Sequence, residues 1–183
     1  MLTRDELIKE ISKTIEKIKV VKLTAILKKQ QFALRDLIDV TFHTDKNIAF
    51  RAAWILENLF LQKPESYPDD MDYLISRIPD VKNESCKRHY AKIAMHLTNP
   101  KTPLLIREKL KEIDLEPVVE QLFDWMIDPK VRIAVKVFAA QALFNLRERY
   151  PLIKEELAEQ IQFLMRDGTA AIQSRGRKLL LQL

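Results

Sequence analysis

Apolar residues recur at helical spacing along almost the whole chain. Leu7, Ile8, Ile11, Ile15 and Ile18 set the pattern in the first segment, with steps of three and four residues that gather them on one side of an α-helix. Between such segments the breaks carry helix-stopping or helix-starting chemistry: Pro64 and Pro68, Pro79, Asn99-Pro100, Pro103, Asp128-Pro129 and Tyr150-Pro151. Asp128 before Pro129 is the strongest start signal, because a carboxylate there can cap free N–H groups while proline takes a position that needs no donor. The pattern predicts helices over 3–18, 21–42 with a break near Gln30, 45–61, 69–78, 83–98, 103–112, 115–127, 129–148, 151–166 and 169–182. No segment reads as a strand.

Four of these helices end in related tetrads: Leu56-Glu57-Asn58-Leu59, Ala94-Met95-His96-Leu97, Leu143-Phe144-Asn145-Leu146 and Leu180-Leu181-Gln182-Leu183. With the last Leu as anchor, the residue eleven before it is Ile48, Cys86, Val135 or Ile172, and seven before it is Ala52, Tyr90, Ala139 or Gly176. Four before come Ile55, Ile93, Ala142 and Leu179, and three before come Leu56, Ala94, Leu143 and Leu180. At about 100° per residue these offsets share one arc and predict a buried stripe. The anchors lie 38, 49 and 37 residues apart, which fits a two-helix unit of about 40 residues, the long interval holding an extra helix.

This organisation resembles the HEAT-repeat family of armadillo-like α-solenoids. The closest stretch is Asp128 to Leu146, where Val135-Lys136, Ala139, Ala142-Leu143 and Leu146 follow the family's second-helix pattern of apolar-basic, small, small-Leu and Leu. Thr44 to Leu59 is the next best match. The resemblance covers about residues 31 to 183. It implies an all-α chain forming a right-handed α-α superhelix of about four helical-pair repeats plus an N-terminal helix, in one domain over 1–183 with 1–30 as a capping or degenerate unit. Tyr90 and Gly176 depart from the usual small Ala, Ala49 and Gln173 from the usual basic residue ten before the anchor, and helices 103–112 and 115–127 interrupt the period.

Composition supports a folded chain and narrows the chemistry. Of 183 residues 47% are hydrophobic and only two are Gly, which excludes disorder and weakens readings that need phosphate-cradling loops or tight hairpins. The single Cys86 cannot form an internal disulfide, and no segment carries a signal-peptide pattern, so the expected address is cytoplasmic. No run approaches the roughly 18 apolar residues that cross a bilayer. Net charge is +5, distributed as +4 over residues 1–63, −4 over 64–129 and +5 over 130–183.

In a repeat of this kind, the resemblance implies, the second helices line the concave side. Positions eight, five and one before the anchor are expected on their exposed face: Arg51, His89, Phe138 and Arg175; Trp54, Lys92, Gln141 and Lys178; Asn58, His96, Asn145 and Gln182. Such a basic, amide-rich face with two aromatics suits an acidic or phosphate-bearing ligand. It equally suits a solvated helix face, with the amides bonded to a neighbouring repeat. Lys87, Lys136 and Arg132 are expected to meet a neighbouring repeat's carboxylate, and Cys86 to be a core residue. His43, His89 and His96 offer no helical metal pair, so neither a metal nor a cofactor is expected.

No catalytic residues emerge. Neither a Ser elbow, a paired-carboxylate signature nor a Gly-rich phosphate loop appears, and the Gly-Ser-Ser-x-Met-Pro loop of the fumarase and adenylosuccinate lyase superfamily is missing. HEAT-like alkylpurine DNA glycosylases hold DNA in a basic concave groove with aromatic residues and a catalytic Asp. Arg51, Trp54, Lys92 and Arg175 match such a groove, but the exposed row has no carboxylate, Glu57 being the nearest and set to one side. The leading expectation is a non-enzymatic scaffold that binds a protein or peptide through the second-helix face. The alternative is a nucleic-acid-binding protein that contacts phosphates through Arg51, Lys92, Arg175, Arg177 and Lys178. Leu179, Leu180, Leu181 and Leu183 have no following repeat to cover them, so the last helix either buries itself against 151–166 or contacts another protein or a second copy, a homodimer through the C-terminal helix.

Overall fold

The computed structural model describes residues 1–13 and 17–183. Among them eleven α-helices follow in order: α1 (Arg4–Ser12), α2 (Lys17–Gln30), α3 (Leu34–Val40), α4 (Lys46–Gln62), α5 (Met71–Ser76), α6 (Glu84–Leu97), α7 (Leu104–Glu112), α8 (Glu116–Ile127), α9 (Ile133–Leu146), α10 (Ile153–Met165) and α11 (Ala170–Leu180). The expected helix over 3–18 is α1 with the start of α2; its Ile15 lies outside the described residues, as does the side chain of Ile18. The break near Gln30 falls at Gln31, whose φ of 52° ends α2 in the left-handed region. Pro64 and Pro68 each begin a single 3₁₀ turn, and Pro79 is the second residue of another, Ile78–Asp80.

One start signal is misplaced. The helix expected from Pro129 begins at Ile133, because Asp128 Oδ1 accepts from the Lys130 amide at 2.8 Å and so caps a turn instead of a helix. That turn tucks Val131 into the interior at 3% exposure. True side-chain caps stand at Asp45, which accepts from Asn47 and Ile48 amides, at Asn83, which accepts from Ser85, and in the reciprocal Thr3–Glu6 box.

The second helices form a row in which α4 packs on α6, α6 on α9 and α9 on α11, while α1 and α2 lean on α4. On the other side α3, α5 and α8 form a row of first helices, with α3 against α4, α8 against α9 and α10 against α11. This neighbour-to-neighbour packing is that of a helical solenoid. The extra helix α7 packs on the 3₁₀ turns after α4.

One continuous buried cluster runs from Leu7 to Leu179, each deeply buried Leu or Ile in it contributing roughly 1.5–3 kcal/mol. The stripe read from the anchors is the inner seam: Ala52, Tyr90, Ala139, Ile55, Ile93, Ala142, Leu56 and Leu143 are all inaccessible. Both departures from small Ala have reasons. Tyr90 reaches the end of α3, its hydroxyl 2.7 Å from that of Thr41. Since Thr41 donates its one hydrogen to the Ile38 carbonyl, the phenol donates to Thr41. At Gly176 an added Cβ would stand 2.5 Å from Met165 Sδ and 3.0 Å from Ile161 Cγ2, so α11 lies too close to α10 for a side chain there.

Candidate functional site

The second-helix row is far less open than its sequence pattern suggests. Of the twelve residues expected on the exposed face only Lys178 and Gln182 are exposed; Arg51, Trp54, Asn58, Lys92, His96, Phe138, Gln141, Asn145 and Arg175 are half-buried. His89, expected on the exposed row, is instead buried at 3% exposure. The reason is angular: at about 100° per residue, positions eight and one before the anchor point sideways from the buried arc, toward the preceding helix, while positions nine and five point away from it.

Position eight accordingly reaches back to the preceding helix. Arg51 Nη1 donates to the Ser12 carbonyl at 2.9 Å and to that of Ile11 at 3.3 Å, capping the end of α1. His89 Nδ1 lies 2.6 Å from Glu57 Oε2 on α4. Arg175 Nη1 donates to Gln141 Oε1 on α9 at 2.9 Å. Only Phe138 breaks the rule, packing on the core instead. Gln141 in turn donates to Asn145, which donates to the Met95 carbonyl and Thr98 hydroxyl of the preceding repeat. Asn145 thus bonds across repeats as one reading of the amides expects, whereas Asn58 donates to the Trp54 carbonyl of its own helix. Every seam along the row therefore carries a polar tie.

The tie between α4 and α6 is ionic. Glu57, expected to one side, sits in the middle of the seam with its side chain 8% exposed, one carboxylate oxygen on His89 and the other 2.6 Å from Lys92 Nζ. Burial alone would raise the Glu57 pKa, but hydrogen bonds from His89 and Lys92 outweigh it and hold the carboxyl below its ordinary 4.5. His89 Nε2 is buried with no hydrogen-bond partner. Its ring is held between Trp54, stacked at 6.0 Å and 25°, and Phe50 at 5.2 Å. With both oxygens engaged, Glu57 links two helices and is not a free carboxylate for acid–base chemistry.

Above this tie Phe50, Trp54, Glu57, Asn58, Arg88, His89 and Lys92 line an open hollow of about 400 Å³. Arg88 is exposed on its rim. Sequence reasoning passed over Phe50 and Arg88, both nine before their anchors, and set Glu57 aside. The available signal was the spacing of Phe50 and Trp54, and of Arg88 and Lys92: four residues each, on one helix face.

Elsewhere the candidate chemistry is structural. Lys87 pairs with Glu84 of its own helix at 2.5 Å, and Lys136 donates to the Met126 carbonyl at 2.8 Å within its own repeat, so neither meets a neighbouring repeat's carboxylate; Arg132 precedes α9 without a capping bond. Burial pushes the Cys86 thiol up to about 12, as for a core residue. His43 Nδ1 accepts from the Asp45 amide at 2.9 Å, and among the described residues no three His, Cys, Asp or Glu side chains converge on a metal position. Leu180 and Leu183 pack on the core while Leu181 stays 86% exposed. Among the described residues no helix is long and apolar enough to cross a membrane. The family model for the HEAT repeat domain matches residues 7–183. No curated protein and no solved structure matches.

Proposed function

The chain belongs to the HEAT repeat domain family, and from that premise we propose that its second-helix row is a docking face for an acidic segment of a protein partner, received in the hollow between α4 and α6. Helical-repeat scaffolds commonly mediate such contacts. The observation that carries the reading is the hollow itself: an aromatic wall of Phe50 and Trp54 beside the exposed cation Arg88, over a seam whose own charges are already matched. Among the described residues Arg88 has no hydrogen bond or ion pair, so its guanidinium is available to a carboxylate, while apolar parts of the same segment lie on the aromatics.

A phosphate track is less well supported. Arg51 is spent on the end of α1, Lys92 on Glu57 and Arg175 on Gln141. That leaves Arg177 and Lys178 exposed at the far end of the row, too few cations for the multiple phosphate contacts that nucleic-acid binding rests on.

The test uses the protein's own reporter. Trp125 is 2% exposed, so of the two tryptophans Trp54 is the one a ligand reaches. Synthetic peptides combining Glu with Phe or Leu should shift Trp54 emission, and Arg88→Glu should weaken them by about tenfold. Peptides with Lys in place of Glu, and duplex DNA at low salt, should bind more weakly than the acidic set. No response to any acidic peptide, or tighter binding of duplex DNA that disappears in an Arg177→Glu, Lys178→Glu variant, would overturn the proposal.

A further inference from the structure

We infer that the first-helix side carries a second docking surface, an apolar groove between α8 and α10 that takes a basic amphipathic segment of a partner protein. Phe123 and Ile127 of α8 and Glu156, Glu159, Gln160 and Phe163 of α10 line an open groove of about 460 Å³, within the range of about 300–1,000 Å³ typical of ligand sites. Two large apolar side chains in it face water: Ile127 is 61% exposed and Phe163 60%. Exposed apolar residues scattered singly need no explanation, but a pair converging on one groove with a polar rim marks an interaction site.

The rim states the occupant's chemistry. α10 buries Ile153, Leu157 and Ile161 on its inner side, and on its outer side Leu152, Glu156, Glu159 and Phe163 follow at steps of four, three and four, apolar at both ends and acidic between. The facing helix adds Glu120 and Asp124, exposed on the turns next to Phe123 and Ile127. Among the described residues none of these four carboxylates has an ion pair, since Lys154, the nearby lysine on α10, is engaged with Glu148. Arg166 lies 5.7 Å over the Phe163 ring, outside the lining of the groove. Phosphates, anionic lipid and acidic peptides are repelled by such a rim. A helix with apolar residues one to two turns apart and Lys or Arg between them is complementary to it in both shape and charge. This surface is independent of the hollow between α4 and α6, which lies on the other row of helices and prefers the opposite charge.

The experiment titrates the full chain with a fluorescein-labelled amphipathic peptide bearing Leu at i, i+3 and i+4 spacing and Lys on its flanks, a Glu-for-Lys copy, and a scrambled Lys peptide. Expected is preferential binding of the ordered Lys peptide, weakened about tenfold by Phe163→Asp and reversed toward the Glu copy by Glu156→Lys, Glu159→Lys. Trp54→Ala should leave that affinity unchanged, which separates this site from the second-helix face. All three positions substituted on α10 are exposed, so folded protein is checked by an unaltered far-UV spectrum. Equal binding of the scrambled peptide, or affinity unmoved by both groove variants, would overturn the inference.

Discussion

Between α4 and α6 the repeat is tied by a buried carboxylate that holds a histidine and a lysine at 2.6 Å each; between α9 and α11 the equivalent position eight holds a half-buried arginine on a neutral amide at 2.9 Å. The two seams share their anchor pattern and differ in what they conceal. The first hides charge and keeps an aromatic hollow open above it. Beside the second, α11 draws close to its own first helix α10 through Gly176, with Met165 and Ile161 where a side chain would be. The comparison teaches that the apolar stripe sets the stacking while the polar positions beside it decide whether a seam is tied by a buried ion pair or by a neutral amide.

Removing the ionic tie should have the largest effect. Glu57→Gln leaves Lys92 and the enclosed His89 without their anion, and loss of one partner of a buried pair costs about 3 kcal/mol, read as a lower urea midpoint with unchanged slope. A change beside the other seam, Gly176→Ala where α11 meets α10, should cost about 1 kcal/mol, because overpacking against Met165 and Ile161 exceeds the gain in helix propensity. A cost as large as that of Glu57→Gln would erase the contrast.

Acid separates the seams further. Because Glu57 is held below its ordinary 4.5 in the folded chain, its contribution is complete above pH 4.5 and is lost as pH falls through the lower folded value. His96, held below 6.5 first by burial and then by the Lys92 charge, adds a shallower loss that starts below pH 6.5, as the unfolded chain takes up the proton first. A stability profile from pH 8 to 3 should show both limbs, with Glu57→Gln flattening the lower and His96→Gln the upper. The smallest effect is expected at Arg88: Arg88→Glu should change stability by less than about 0.5 kcal/mol, being an exposed site, while altering binding in the hollow.

Most of the fold was legible because its signals are local and repeated. The proline breaks and the three- and four-residue apolar steps give the helices, and the spacing of Leu59, Leu97 and Leu146 gives the stacked second helices. The start of α9 was misread since Asp128 serves a turn and a helix cap equally well, and only the burial of Val131 chooses between them. The hollow was legible only in part: Trp54, Asn58, His89 and Lys92 stand out in one helix's pattern, whereas Phe50, Arg88 and the burial of Glu57 do not. One helix considered alone shows which residues avoid its own buried stripe. It does not show that His89 and Arg175 lie against the preceding helix, or that Glu57, on the opposite flank of its own helix, meets His89 and Lys92 there. Those are properties of the stack.

Hydrogen exchange with a bound Glu/Phe peptide tests the central claim, that the open seam is the docking face, most directly. Protection gained over 46–62 and 84–97, with 133–146 and 170–180 unchanged and the gain absent in Arg88→Glu, is the predicted result; protection confined to α9 and α11, or identical in Arg88→Glu, would contradict it.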